Sequence, residues 1–143
     1  VFLTSSPIEL AALIAEVQSG DRGGIACFVG AVRDHQHGRA VTRLDYSAYE
    51  QMAEVECAHI IAEAEERWNC VVALRHRTGS LLVGDVAVAV AVAAAHREEA
   101  FAGCRYVIEE VKRRVPIWKR EYFADGTVEW VDASAGDLER SRS

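Results

Sequence analysis

Apolar and polar positions alternate along this chain with two different periods, and the changes of period mark out its elements. Leu10, Leu13, Ile14 and Val17 form one helical stripe. Ser6 as cap, Pro7 at the first helical position and Glu9 three residues on predict a helix that starts at Ser6-Pro7, and Gly20 closes it. Ile25 to Val32 is apolar on both faces and predicts a buried strand. A polar loop, Arg33 to Arg39, follows. Val41 to Tyr49 alternates, with Thr42, Leu44, Tyr46 and Ala48 on one face and Arg43, Asp45 and Ser47 on the other, as in a half-exposed strand. Met52 to Trp68 has Cys57, Ile60, Ile61, Ala64 and Trp68 at helical spacing. Val71 to Arg77 reads as a strand that Thr78-Gly79 ends.

From Val86 to Ala93 every even position is valine and every odd one alanine. Alanine alone favours a helix, but a period of two in β-branched residues favours a strand whose alanine face admits a helix close to its backbone. The last helix runs from about His96 to Val115, burying Ala100, Cys104, Val107, Ile108, Val111 and Val115, and Pro116 ends it. Ile117 to Phe123 and Val128 to Val131 flank Asp125-Gly126, a hairpin turn. The order of elements gives an α+β fold with a mixed or antiparallel sheet. Residues 1–132 make a single domain and 133–143 a polar, frayed tail. There is no internal repeat and no linker.

Composition narrows the function classes. The chain has 143 residues, half of them apolar, enough for a core without staples. No apolar run approaches the roughly 20 residues of a membrane span, and Val1 to Pro7 lacks the pattern of a secretory signal. A net charge of −6 argues against general attraction to nucleic acid or anionic membrane. Cysteines 27, 57, 70 and 104 form no C-x-x-C pair and sit in apolar contexts; they read as buried hydrophobes in the reducing cytoplasm. His35-x-His37 lacks a third ligand placed by sequence, so no metal is expected.

Within this acidic chain, five positive charges fall between Lys112 and Arg120, and the only two lysines, Lys112 and Lys119, are among them. Arginine keeps its proton, whereas a lysine crowded by cations and partly buried can surrender one and act as nucleophile, base or acid. The same run also suits the dipole at a helix C-terminus. Ala95-His96-Arg97 opens a helix, where free N–H groups and a guanidinium can hold an anion, or where both side chains can simply be solvated. Arg33 ends a strand and opens the polar loop, a place equally suited to a surface charge.

Phe28-Val29-Gly30-Ala31-Val32-Arg33-Asp34-His35, Leu44-x-Tyr46-x-x-Tyr49-x-x-Met52, His76-Arg77-x-Gly79-x-Leu81-x-x-Gly84-Asp85, Ala95-His96-Arg97 and Lys112-x-Arg114-x-Pro116-Ile117-Trp118-Lys119-Arg120-Glu121 together resemble the large, catalytic subunit family of molybdopterin synthase. The similarity runs in order and spacing from about Ile25 to Val131, and the lysine-to-lysine block is its most specific part. The resemblance implies an α/β-hammerhead-like core with an additional antiparallel β subdomain. It also implies a homodimer within a heterotetramer, with a small ubiquitin-like subunit at each end whose C-terminal thiocarboxylate supplies sulfur to cyclic pyranopterin monophosphate, forming the dithiolene of molybdopterin.

Carried over by position, Lys112 and Lys119 are the catalytic pair; stabilising an oxyanion and moving protons are the two roles, and position does not fix which lysine takes which. Arg33, His96 and Arg97 bind substrate, with Arg120 and Glu121 lining the same pocket. The family's site lies near its dimer interface, so Arg33 or His96-Arg97 can serve the neighbouring protomer's lysines. Gln36-His37 departs from the family pattern. No resident cofactor is implied. The competing class is a non-catalytic module that docks an acidic partner or peptide tail through the 112–120 block. RNA binding lacks a stacking motif, and a cysteine-based sulfurtransferase lacks a cysteine beside the cations other than the stripe residue Cys104.

Overall fold

The computed structural model describes residues 1–132; the tail expected at 133–143 lies outside them. In chain order the elements are β1 (Leu3–Thr4), α1 (Leu10–Val17), β2 (Gly24–Ala31), β3 (His35–Gln36), β4 (Arg39–Ala48), α2 (Glu50–Trp68), β5 (Val71–Arg77), β6 (Gly79–Leu82), β7 (Val86–Ala94), α3 (Arg97–Arg114), β8 (Ile117–Phe123) and β9 (Val128–Asp132). They form two sheets. The first has the order β1-β5-β7-β2, with β1 parallel to β5 and the other pairs antiparallel. The second runs β3-β4-β8-β9, with β6 also on β4. The α+β architecture with a second antiparallel sheet is the one that the sequence implied.

β7 organises the first sheet through its two-residue period. Val88, Val90 and Val92 face the main core with Ile60 of α2 and Val107 and Val111 of α3. Each buried valine contributes about 1.5–3 kcal/mol. Ala89, Ala91 and Ala93 face the other way and let α1 settle close, so that Leu13 and Val17 cover them. Leu44, Tyr46, Leu81, Ile117 and Phe123 of the second sheet belong to the same main core, so one apolar interior joins the two sheets.

Several local expectations need correction. Helix α1 begins at Leu10, and its N-cap is Glu9, extended and without a side-chain cap bond. The preceding residues are taken up elsewhere: Leu3-Thr4 joins the sheet beside β5, and the Ser6 N–H donates to Thr4 Oγ1. β2 is an edge strand rather than a buried one. Its Ile25, Phe28 and Val29 are 38–41% exposed, and Cys27 is exposed rather than buried. On β4 a register shift between Val41 and Arg43 turns Thr42 outward and Val41 inward, because a bulge reverses the side-chain alternation. Short strands β1, β3 and β6 carry too few residues to show a period.

Candidate functional site

A tight corner builds the site. Val115, extended before Pro116, terminates α3, and β8 starts at Ile117. From there strand alternation directs Ile117, Lys119, Glu121 and Phe123 inward. Lys112, in the last turn of α3, and Lys119 thereby line one cavity of about 80 Å³ between the two sheets. Glu121 shares it, 3% exposed, with Oε1 3.9 Å from Lys119 Nζ. A buried cation and carboxylate this close offset part of each other's desolvation cost.

The opposite wall comes from the end of β2 and the loop beyond it. Gly30 is required there, since a Cβ would stand 2.8 Å from Val88 Cγ1. Arg33 lines the cavity and donates to Gln36 Oε1 at 2.9 Å. Gln36, at the point of departure from the family pattern, is itself buried, and its amide lies 3.2 Å from His37 Nε2. It acts as the brace that aims Arg33, a role invisible in the sequence because β3 is only two residues long.

His96 and Arg97 are not in this cavity. They stand at the N-terminal end of α3, and fifteen residues of helix put Arg97 about 22 Å from Lys112. There they line an open depression with Gly23, Ala95 and Glu98. Gly24 permits the close approach, because a Cβ on it would lie 2.9 Å from the Arg97 backbone nitrogen. Arg120 does not line the cavity either. It alternates outward on β8, with its guanidinium 5.3 Å from the Tyr122 ring and 5.4 Å from the Trp130 ring. Among the described residues no group of three or more His, Cys, Asp and Glu could hold a metal ion.

His76 is the residue that sequence reasoning left without a role. It is 3% exposed on β5, with Nδ1 2.8 Å from the Arg77 carbonyl and its ring 5.2 Å from that of Tyr46, a lining residue of the cavity. Burial, and to a lesser degree the Lys112 charge, push its pKa down to about 4, so the imidazole is neutral near pH 7. The available signal was a histidine at an inward position of an apolar strand, two residues after Leu74.

An α+β protein with its only two lysines turned into one cavity, and an arginine lining a depression at the far end of the same helix, is suited to an anionic ligand. Comparison with known proteins narrows this. Residues 3–114 match the family model described as MoaE protein. The chain is 45% identical over 90% of its length to the molybdopterin synthase catalytic subunit 1 of Mycobacterium tuberculosis, covering 88% of that protein. It is 41% identical over 90% of its length to the molybdopterin synthase catalytic subunit of Bacillus subtilis, covering 82% of it. The crystal structure of molybdopterin synthase from Staphylococcus aureus superposes with a TM-score of 0.87 at 34% identity, covering 91% of this chain and 95% of that one. The chain belongs to the MoaE protein family.

Proposed function

We propose that this chain is the catalytic subunit of a molybdopterin synthase. In this reading it transfers sulfur from the thiocarboxylated C-terminus of a small ubiquitin-like subunit to cyclic pyranopterin monophosphate. The observation that carries the proposal is the convergence of Lys112 and Lys119 on one cavity with Arg33 and Glu121.

The chemistry follows from the charges. The thiocarboxylate sulfur attacks a carbon of the pyranopterin and displaces an oxygen, which leaves with a proton. The sulfur is then shared between that carbon and the partner's acyl group. Water adds to the acyl carbon, the acyl–sulfur bond breaks, and the partner departs as a carboxylate while the sulfur stays on the pterin. A second round gives the dithiolene. Lys112 stabilises the oxyanion formed as water adds, and Lys119 delivers protons to the departing oxygens. Arg33 holds the phosphate.

The cysteines are poorly suited to supply the sulfur. Burial above all pushes the thiols of Cys57, Cys70 and Cys104 up to about 12, 11 and 11, leaving little thiolate at neutral pH. They fit a protein that works in the cytoplasm, with unpaired thiols. Among the described residues no helix is long and apolar enough to cross a membrane.

His96 and Arg97 enter through a second copy of the chain. β2 runs from Gly24, beside Arg97, to Ala31 at the cavity, and its outer edge exposes Ile25, Phe28 and Val29. An unpaired apolar edge favours strand pairing. Antiparallel pairing of two β2 edges about a two-fold axis sets the Arg97 end of one copy beside the Lys112 end of the other. Each cavity then receives a phosphate clamp from its neighbour.

The test is to mix the purified chain with a thiocarboxylated ubiquitin-like partner and cyclic pyranopterin monophosphate. Dithiolene product is expected, and it should disappear in Lys112→Arg and Lys119→Arg variants. A docking module that needs only positive charge would tolerate both substitutions; full activity in them would overturn the proposal.

A further inference from the structure

Tyr46 and Lys119 are direct partners across the β4–β8 ladder and face the same side, so their Cβ atoms are about 5 Å apart. The Tyr46 ring meets His76 edge to face, with planes at 76°. His76 cannot swing away, since its Nδ1–H donates to the Arg77 carbonyl and the side chain is enclosed. Lys112 lines the same cavity as Tyr46 and Lys119. One buried ring therefore backs Tyr46, the cavity residue that pairs with Lys119 and shares its cavity with Lys112.

We infer that His76 is a positioning residue for sulfur transfer: braced on the Arg77 carbonyl, its ring fixes Tyr46 against Lys119 and so sets the spacing of the two amines. Its kinetic consequence rests on the proposed sulfur-transfer function. A neutral imidazole suits the task, because a charged one would add a third cation beside Lys112 and Lys119. The contribution is the ring's shape and rigidity, not a proton.

The composition supplies an unusually clean probe. With two lysines in the whole chain, protein grown on ¹³Cε-lysine gives two side-chain NMR signals. His76→Asn retains an N–H for the Arg77 carbonyl and removes the ring; His76→Phe does the reverse. Leu13→Ala, under the opposite face of the first sheet, is the control for a purely destabilising change. His76→Asn is expected to shift both lysine signals and to lower kcat about thirtyfold, the scale of a sub-ångström misplacement, with KM changed by less than about threefold. His76→Phe should retain both signals and kcat within about threefold, at a lower Tm. Leu13→Ala should lower Tm alone.

Lysine signals and kcat unchanged in His76→Asn would overturn the inference. So would an equal response in Leu13→Ala, or loss of activity in His76→Phe with activity kept in His76→Asn. If the wild-type chain transfers no sulfur but its lysine signals respond as described, the positioning stands and the proposed function falls.

Discussion

The two ends of α3 each carry a cation suited to an anion, Lys112 at one and Arg97, followed by Glu98 and Glu99, at the other, yet they differ in what surrounds them. At the C-terminal end Lys112 meets Lys119 and Glu121 in a cavity lined from both sheets. At the N-terminal end His96 and Arg97 line an open depression with Gly23, Ala95 and Glu98. The helix dipole adds to the contrast, since cations suit the C-terminus and anions are drawn to the N-terminus. In the proposed function the first end is the reaction chamber, whose two lysines come from one chain. The second is, in the same proposal, half of a phosphate site, about 22 Å from the chemistry it would serve. The exposed β2 edge runs between the two, and in the proposed dimer a second copy joins them across it.

The largest effect is expected at the enclosed end. Lys112→Ala and Lys119→Ala should each lower kcat by about a hundredfold or more, with circular dichroism and Tm showing an intact fold. Near-wild-type turnover in either would remove that lysine from the reaction. At the open end a smaller and different effect is expected. Arg97→Ala should raise KM for the cyclic phosphate about tenfold while leaving kcat within about threefold, read from steady-state sulfur transfer. Equal losses of kcat at both ends would erase the distinction between chamber and clamp.

Acid sharpens the contrast between the chamber wall and the solvent-facing helices. Unfolded His76 takes up a proton near 6.5, whereas folded His76 resists until about 4. Between those values the unfolded chain binds more protons, so stability falls as pH falls, by roughly 3 kcal/mol in all. Glu63, held down to about 2 first by its bond from Arg114 and then by that from Tyr106, loses its contribution later, as pH drops below 4.5 toward 2. Urea unfolding of His76→Phe between pH 6.5 and 4 should therefore show a flatter decline than the wild type, with the same decline below pH 4. Parallel curves across the upper window would show that the ring is not the group resisting protonation.

The chamber end was legible in the sequence because local rules build it. Proline ends the helix, and alternation after Pro116 turns Lys119 and Glu121 inward together. The same alternation sends Arg120 outward, away from the position that the resemblance gave it. The two stripes of β7 were equally readable, down to the helix against the alanine face. What escaped depended on pairing across the chain. An apolar run such as Ile25–Val29 looks alike at the centre of a sheet and at an edge awaiting a partner. The bulge that turns Thr42 outward is visible only against β8, and Ser6 could not cap α1 once Leu3-Thr4 had joined β5. His76 and Gln36 escaped because each acts through a neighbour, Tyr46 in one case and Arg33 in the other.

One mixing experiment tests most directly whether each reaction chamber takes its phosphate clamp from the other chain. Lys119→Ala and Arg97→Ala variants, each impaired alone, are dissociated, combined in equal amounts and reassociated. The rate is read at cyclic phosphate well below KM, where Arg97→Ala alone keeps about a tenth of it. If the site is shared across a dimer, half of the random dimers are mixed and each carries one intact site, so sulfur transfer should recover to about a quarter of the wild-type rate. A rate that stays at the average of the two separate variants would show that Arg97 and Lys119 never meet in one site.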